Sequence, residues 1–159
     1  MMYVTILSVG NLREDYLQRA EAEYTKRLAA FCHLEQVTVR EARISDEDNP
    51  AQIAAALEEE GEHLLARMPK GAYSVALCVE GVQYDSPTLA RVLQEGAARG
   101  GRLCLIIGSS HGLSERVKAA CDLRLSFSKL TFPHTLMRVL LGEVLYRSFS
   151  ISAGRRYHK

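Results

Sequence analysis

Gly108-Ser-Ser-His-Gly112 follows an all-apolar run, Leu103-Cys-Leu-Ile-Ile107, and precedes a helical stretch capped by Ser114. Glycines at such a strand-to-helix turn let a ligand approach the backbone, and a helix start favours a negative group such as a carboxylate. A plain βα turn fits the same residues. So does G-x-S-x-G, the turn that presents a serine nucleophile in hydrolases. Ser110 would then be the nucleophile, followed by Asp122 and by His134 or His158. Three features oppose the hydrolase. Asp122 opens a strand where the acid should follow one, no H-G-G-G oxyanion segment occurs, and 159 residues are few for a covered hydrolase sheet with a pocket. G-x-G-x-x-G is absent from the chain, so the Rossmann fingerprint is excluded and a Rossmann-type methyltransferase disfavoured.

The elements that must position this turn alternate. Tyr3 to Val9 is a β-branched run ending at Gly10-Asn11, and Leu17, Ala20, Tyr24 and Leu28 recur at helical spacing. Leu34 to Val39 alternates as a strand. Asn49-Pro50 suits N-cap and first position of a helix that stops near Pro69. Tyr73 to Val79 is a buried strand ended by Glu80-Gly81, and Ser86-Pro87 caps the next helix. Leu103 to Ile107 is apolar throughout, as in a parallel sheet covered on both faces. Leu123 to Phe127 is a last strand, and a final helix runs from Pro133 to about Ser150. The pattern predicts one α/β domain over residues 1–159, a mostly parallel sheet with helices on both faces. Ligands in such folds bind at the carboxyl ends of the strands. That places three loops together: Glu80-Gly81, Gly108 to Gly112, and Ser126 to Pro133.

Composition narrows the function classes. Hydrophobic residues make up 47% and charged residues 25%, an ordinary globular balance, and no apolar run approaches a membrane span. The N-terminal run reads as a strand rather than a signal peptide. Cys32, Cys78, Cys104 and Cys121 form no C-x-x-C pair; Cys78 and Cys104 read as core residues in a reducing compartment. Cys32 and His33 are adjacent and point to opposite faces of a strand, so no metal site is expected. Net charge is only +1, but its distribution is uneven. Arg124 to Lys159 carries seven cations against Glu143 alone, a net +6, which leaves −5 for residues 1–123. A basic end on a neutral chain favours an anionic partner.

Leu123-Arg-Leu-Ser-Phe-Ser-Lys-Leu-Thr-Phe-Pro-His134 leads into Met137-Arg138-Val139, then Glu143-Val-Leu-Tyr-Arg147, and finally Tyr157-His-Lys159. With the N-terminal run to Val9-Gly10 and the strand that meets Gly108, the chain resembles, over essentially its whole length, the RlmH family of bacterial 23S ribosomal RNA methyltransferases. That family modifies N3 of pseudouridine 1915 and belongs to the SPOUT superfamily. The resemblance implies a C-terminal trefoil knot, an S-adenosylmethionine pocket in the knot, a homodimer packed through it, and a cytoplasmic protein acting on 23S ribosomal RNA in the assembled ribosome, with no role for DNA or a membrane. By position it implies cofactor contacts at Leu77, Gly108, Phe127, Ser128, Lys129, Leu130, Thr131 and Phe132. Ser109 departs from the family's usual second glycine.

The residues agree with such a pocket. Pro133 at the first helical position makes a tight turn, the backbone around it can bond an adenine edge, and Phe127, Leu130 and Phe132 supply apolar walls. Methylating an imide nitrogen requires loss of its proton, so a base or a stabiliser of the anion is the main demand on the protein. His158 is the base by type. Tyr157 would orient the target ring, Arg138 would face the imide oxygens or a phosphate, and Arg155, Arg156 and Lys159 would hold RNA. Leu141 widens the final helix's apolar stripe beyond Leu136, Val139, Leu140, Val144 and Leu145, which suits a dimer interface. A non-catalytic RNA-binding module is the alternative from another class.

Overall fold

The computed structural model describes residues 1–157. Its order is β1 (Met2–Val9), α1 (Asp15–Leu28), β2 (Cys32–Val39), α2 (Pro50–Arg67), β3 (Tyr73–Val82), α3 (Ser86–Ala97), β4 (Arg102–Ile107), α4 (Glu115–Ala120), β5 (Leu123–Leu125) and α5 (His134–Ser152). The five strands form one parallel sheet in the order β2-β1-β4-β3-β5. Central β4 is buried from Leu103 to Ile107, which is why it is apolar at every position.

Helices cover both faces. On one, Leu28 of α1, Leu89 and Leu93 of α3, and Leu141 and Leu145 of α5 meet Val4, Ile6, Val75, Leu103 and Leu105. On the other, Leu64 of α2 and Val117 of α4 meet Leu7, Val9, Cys104 and Ile106. Alternate residues of each strand thus feed opposite cores. Cys32 is buried and His33 exposed, as neighbours on a strand should be. Burial pushes the thiols of Cys32 up to about 11 and Cys104 up to about 12, so neither ionises readily near neutrality.

Caps account for most helix starts. Asn49 accepts from Ala51 N at 3.0 Å, ahead of Pro50. Ser114 accepts from Val117 N at 3.2 Å. Two expectations shift. Asp85, not Ser86, caps α3 by accepting from Thr88 N at 2.8 Å, because a carboxylate one residue earlier reaches the free amide. Pro133 is extended (φ −53°, ψ 136°) and is itself the N-cap, so α5 begins at His134.

Three further expectations are corrected. β5 stops at Leu125 rather than Phe127, while β3 runs on to Val82. Leu77 and Val82 both pair with Leu125, so residues 78–81 arch around the end of the shorter strand. Cys78 sits on this arch and is only half-buried. Leu141, read as an interface residue, is 0% exposed within its own subunit. It lies in the α1–α3 core, because α5 is wedged between those two helices and is surrounded by apolar contacts there.

Candidate active site

The carboxyl ends of β3, β4 and β5 enclose a cavity of about 290 Å³, near the lower end for small-molecule sites. Leu77, Gly108, Phe127, Ser128, Leu130, Thr131 and Phe132 all line it. Of the cofactor residues expected from sequence, Lys129 alone is not on the wall. Two loops shape the cavity, and each is held by its own polar atoms.

In the first loop, Gly112 N donates to Ser109 O at 2.9 Å, closing residues 108–112 into a tight turn. Its glycines serve different ends. A Cβ on Gly108 would lie 2.1 Å from the Gly112 carbonyl oxygen, so that position lacks space. Gly112 has φ +86° and open surroundings, so that position needs a backbone conformation. Ser109, where the family has glycine, is buried. Its hydroxyl approaches the carboxyl group of Glu60 and helps offset that group's burial.

In the second loop, Ser126 Oγ donates to Ser128 O at 2.9 Å and Leu130 N donates to Ser128 Oγ at 3.0 Å. Ser126 N donates to Val82 O at 2.9 Å, which ties the loop to the β3 arch. Gly81 is the contact point: a Cβ there would stand 2.6 Å from the Leu125 carbonyl carbon. The turn residues Glu80-Gly81 therefore mark a close approach of the β3 arch to β5 as well as the edge of the cavity.

Sequence reading missed the cavity's charged wall. On that wall Lys118 from α4 pairs with Glu80; off the wall, Arg124 pairs with Glu115 at 2.8 Å. The Lys118 hydrogen bond holds the Glu80 carboxyl below the usual range, and Glu80 in turn raises Lys118. Glu80 thus presents a persistent carboxylate to the cavity. Only the fold brings these partners, 38 residues apart, together.

The hydrolase reading fails on geometry. Ser110 lines the cavity, but Asp122 is at the opposite end of the sheet, accepting from Ser74 N at 2.7 Å and Ser74 Oγ at 2.8 Å. A nucleophile elbow is a strained turn, whereas no non-glycine residue described has positive φ. His134 lines the cavity from the start of α5.

The basic end divides. Arg138 is not on the cavity wall. Its Nε donates to Glu21 Oε1 at 2.9 Å and its Nη1 to Gly10 O at 3.2 Å, with side-chain exposures of 9% for Arg138 and 16% for Glu21. It clasps α5 to α1 and to the end of β1. Arg147 pairs with Glu143 at 2.7 Å. Tyr157 donates to Glu143 Oε2 at 2.9 Å beneath the Arg147 guanidinium, and Arg155 stacks on Phe31 at 4.4 Å. Arg155 and Arg156 are exposed. None of residues 155–157 lines the cavity. His158 and Lys159 lie outside the described residues.

A family described as "Predicted SPOUT methyltransferase" matches residues 2–158. The chain belongs to the SPOUT methyltransferase family. Curated relatives include the ribosomal RNA large subunit methyltransferase H of Shouchella clausii (strain KSM-K16), 41% identical over 99% of this chain and 100% of that protein. The protein of the same name from Streptococcus thermophilus (strain CNRZ 1066) is 40% identical over the same shares. Among solved structures, a probable methyltransferase from Bordetella pertussis Tohama I aligns with TM-score 0.59 at 15% identity, covering 93% of this chain and 96% of that one. That likeness bears out the α/β fold class.

Proposed function

We propose that this protein methylates N3 of pseudouridine 1915 in 23S ribosomal RNA on the assembled ribosome in the cytoplasm, using S-adenosylmethionine, as a knotted homodimer. The observation that carries the reading is the gathering of Leu77, Gly108 and the 127–132 loop around one cavity. The cavity's chemistry fits the cofactor. Leu77, Phe127 and Met137 offer apolar walls, the 126–132 backbone offers amide and carbonyl groups for an adenine edge, and Glu80 offers a carboxylate for a cationic ligand.

When bound, S-adenosylmethionine supplies an activated methyl group whose leaving group is a neutral thioether. The protein's own tasks are to orient the target ring and to remove its N3 proton. His158 is the base in this reading and Tyr157 orients the ring. Arg155, Arg156 and Lys159 hold RNA phosphates, while Arg138 acts by fixing α5. Tyr157 bonds Glu143, nine residues along α5 from His134, or about 14 Å at 1.5 Å per residue. The described part of the tail, up to Tyr157, folds back at that height and does not line its own cavity. In the dimer, the tail of one subunit completes the cavity of the other.

The test is methylation of ribosomes lacking this modification, with the product nucleoside read by mass spectrometry. The wild type should add one methyl per 23S RNA. A variant ending at Gly154 should bind S-adenosylmethionine normally yet lose on the order of 10²–10⁴ in rate. Full methylation by the truncated protein would move the base into the cavity, and no methylation by the wild type would overturn the reading.

A further inference from the structure

A second cavity opens on the same edge of the sheet, at the ends of β1 and β2. It is polar, and its walls include Asn11, Arg13, Arg40, Glu41, Arg43 and Glu47. It adjoins the first cavity across one side-chain pair, in which His111 of the 108–112 loop meets Glu47 at 2.6 Å.

We propose that this groove binds the phosphodiester backbone of the RNA strand beside the target nucleotide, through Arg13, Arg40 and Arg43. The proposal rests on RNA being the substrate. Three observations carry it. First, these arginines are exposed and form no ion pair with a described residue. Arg19, Arg27, Arg116, Arg124, Arg138 and Arg147 are all paired with carboxylates. Guanidinium groups left without carboxylates suit bidentate contact with phosphate.

Second, the groove is built rather than incidental. Gln18 Nε2 donates to Leu12 O at 2.7 Å, fixing the loop that carries Arg13. Glu60, 3% exposed, accepts from Ala42 N at 3.1 Å, and Ala42 is itself buried. Anchoring Ala42 inward turns its neighbours Glu41 and Arg43 to solvent. Arg138 bonds the Gly10 carbonyl at the groove's floor from the helix that begins at the first cavity.

Third, the acidic residues are positioned to shape the path. Glu47 is engaged by His111, and Glu41 lies over Gly10, within 3.3 Å of where a Cβ would be. Arg13, Arg40 and Arg43 are thus the exposed cations along the groove. A strand crossing it runs directly to the His111 edge of the methyl-transfer cavity.

The test compares wild type with Arg13→Gln, Arg40→Gln, Arg43→Gln and the triple variant, on unmodified ribosomes over a range of salt. All three side chains are exposed, so urea midpoints should match the wild type and S-adenosylmethionine affinity should not change. The triple variant should raise the ribosome KM by roughly tenfold or more with little change in kcat, and flatten the salt slope of log KM by about 2 to 3 units. A triple Arg→Lys variant should keep most of the salt slope. Unchanged KM and salt slope in the triple Gln variant would overturn the groove while wild-type methylation left the methyltransferase reading standing. A wild type that methylates no RNA would overturn both.

Discussion

Gly108→Ala isolates the space requirement of the cavity's tightest turn. The added Cβ would sit 2.1 Å from Gly112 O, 2.4 Å from Gly112 C and 3.0 Å from Leu113 N. An ordinary carbon–oxygen contact is about 3.3 Å, so the Gly112 carbonyl must retreat by about 1.2 Å. It is bound into a turn by Gly112 N and Ser109 O and is followed by buried Leu113, so the retreat deforms the loop. Forcing an extra carbon into packed structure costs about 1–3 kcal/mol. A loop displaced by that distance should also weaken S-adenosylmethionine binding at least tenfold, about 1.4 kcal/mol. Gly112→Ala is the control. Its Cβ meets nothing within 4 Å, but φ +86° imposes about 1–3 kcal/mol of backbone strain. Urea denaturation should therefore show similar losses for both variants, while calorimetric titration of cofactor should show the larger loss for Gly108→Ala. If Gly108→Ala retains both wild-type stability and wild-type cofactor affinity, the turn is not closed as described and the space argument is wrong.

Ser110→Ala should keep at least a third of wild-type methylation, because Asp122 is bonded to Ser74 and no triad exists; covalent labelling of Ser110 by a fluorophosphonate would contradict this. Leu141→Ala should cost about 2–5 kcal/mol in urea denaturation without changing subunit stoichiometry, since Leu141 is in the subunit core; loss of the proposed dimer with unchanged folding stability would return the residue to an interface. Glu60→Gln gives a pH signature. Burial raises the Glu60 carboxyl above its ordinary range, so its contribution to stability is complete below the unfolded pKa and is lost as pH rises through the folded one. As pH rises above the ordinary glutamate range, the wild type should lose stability relative to Glu60→Gln, whose amide oxygen can still accept from Ala42 N. Parallel stability profiles for the two proteins would show that Glu60 is not strained by burial.

Local rules made the scaffold legible because they act over a few residues. The apolar run 103–107 announced a buried strand, Asn49-Pro50 and Ser114 announced helix starts, and glycine at 108 and 112 announced a tight turn. Of the eight residues the resemblance implied for cofactor contact, seven share one cavity. What escaped was set by partners distant in sequence. Arg138 looked like a free cation for RNA because nothing near it in sequence reveals Glu21, 117 residues away. Leu141 looked like surplus apolar surface because a helix packed on two others carries apolar residues beyond a single stripe. Glu60 sits in the run Glu58-Glu-Glu-Gly-Glu62, which reads as a solvated face. Gly61 beside it lets α2 approach α4 so closely that an added Cβ would stand 2.7 Å from Ser114 Oγ. That approach buries Glu60 between the loop bearing Ser109 and the loop bearing Ala42. The charge pattern therefore pointed to the C-terminal end, where Arg138 and Arg147 are bound by their own subunit's carboxylates. The exposed guanidinium groups of the adjoining groove come from the acidic N-terminal part, at Arg13, Arg40 and Arg43. A net charge counted along the chain cannot show which cations the fold leaves for an RNA.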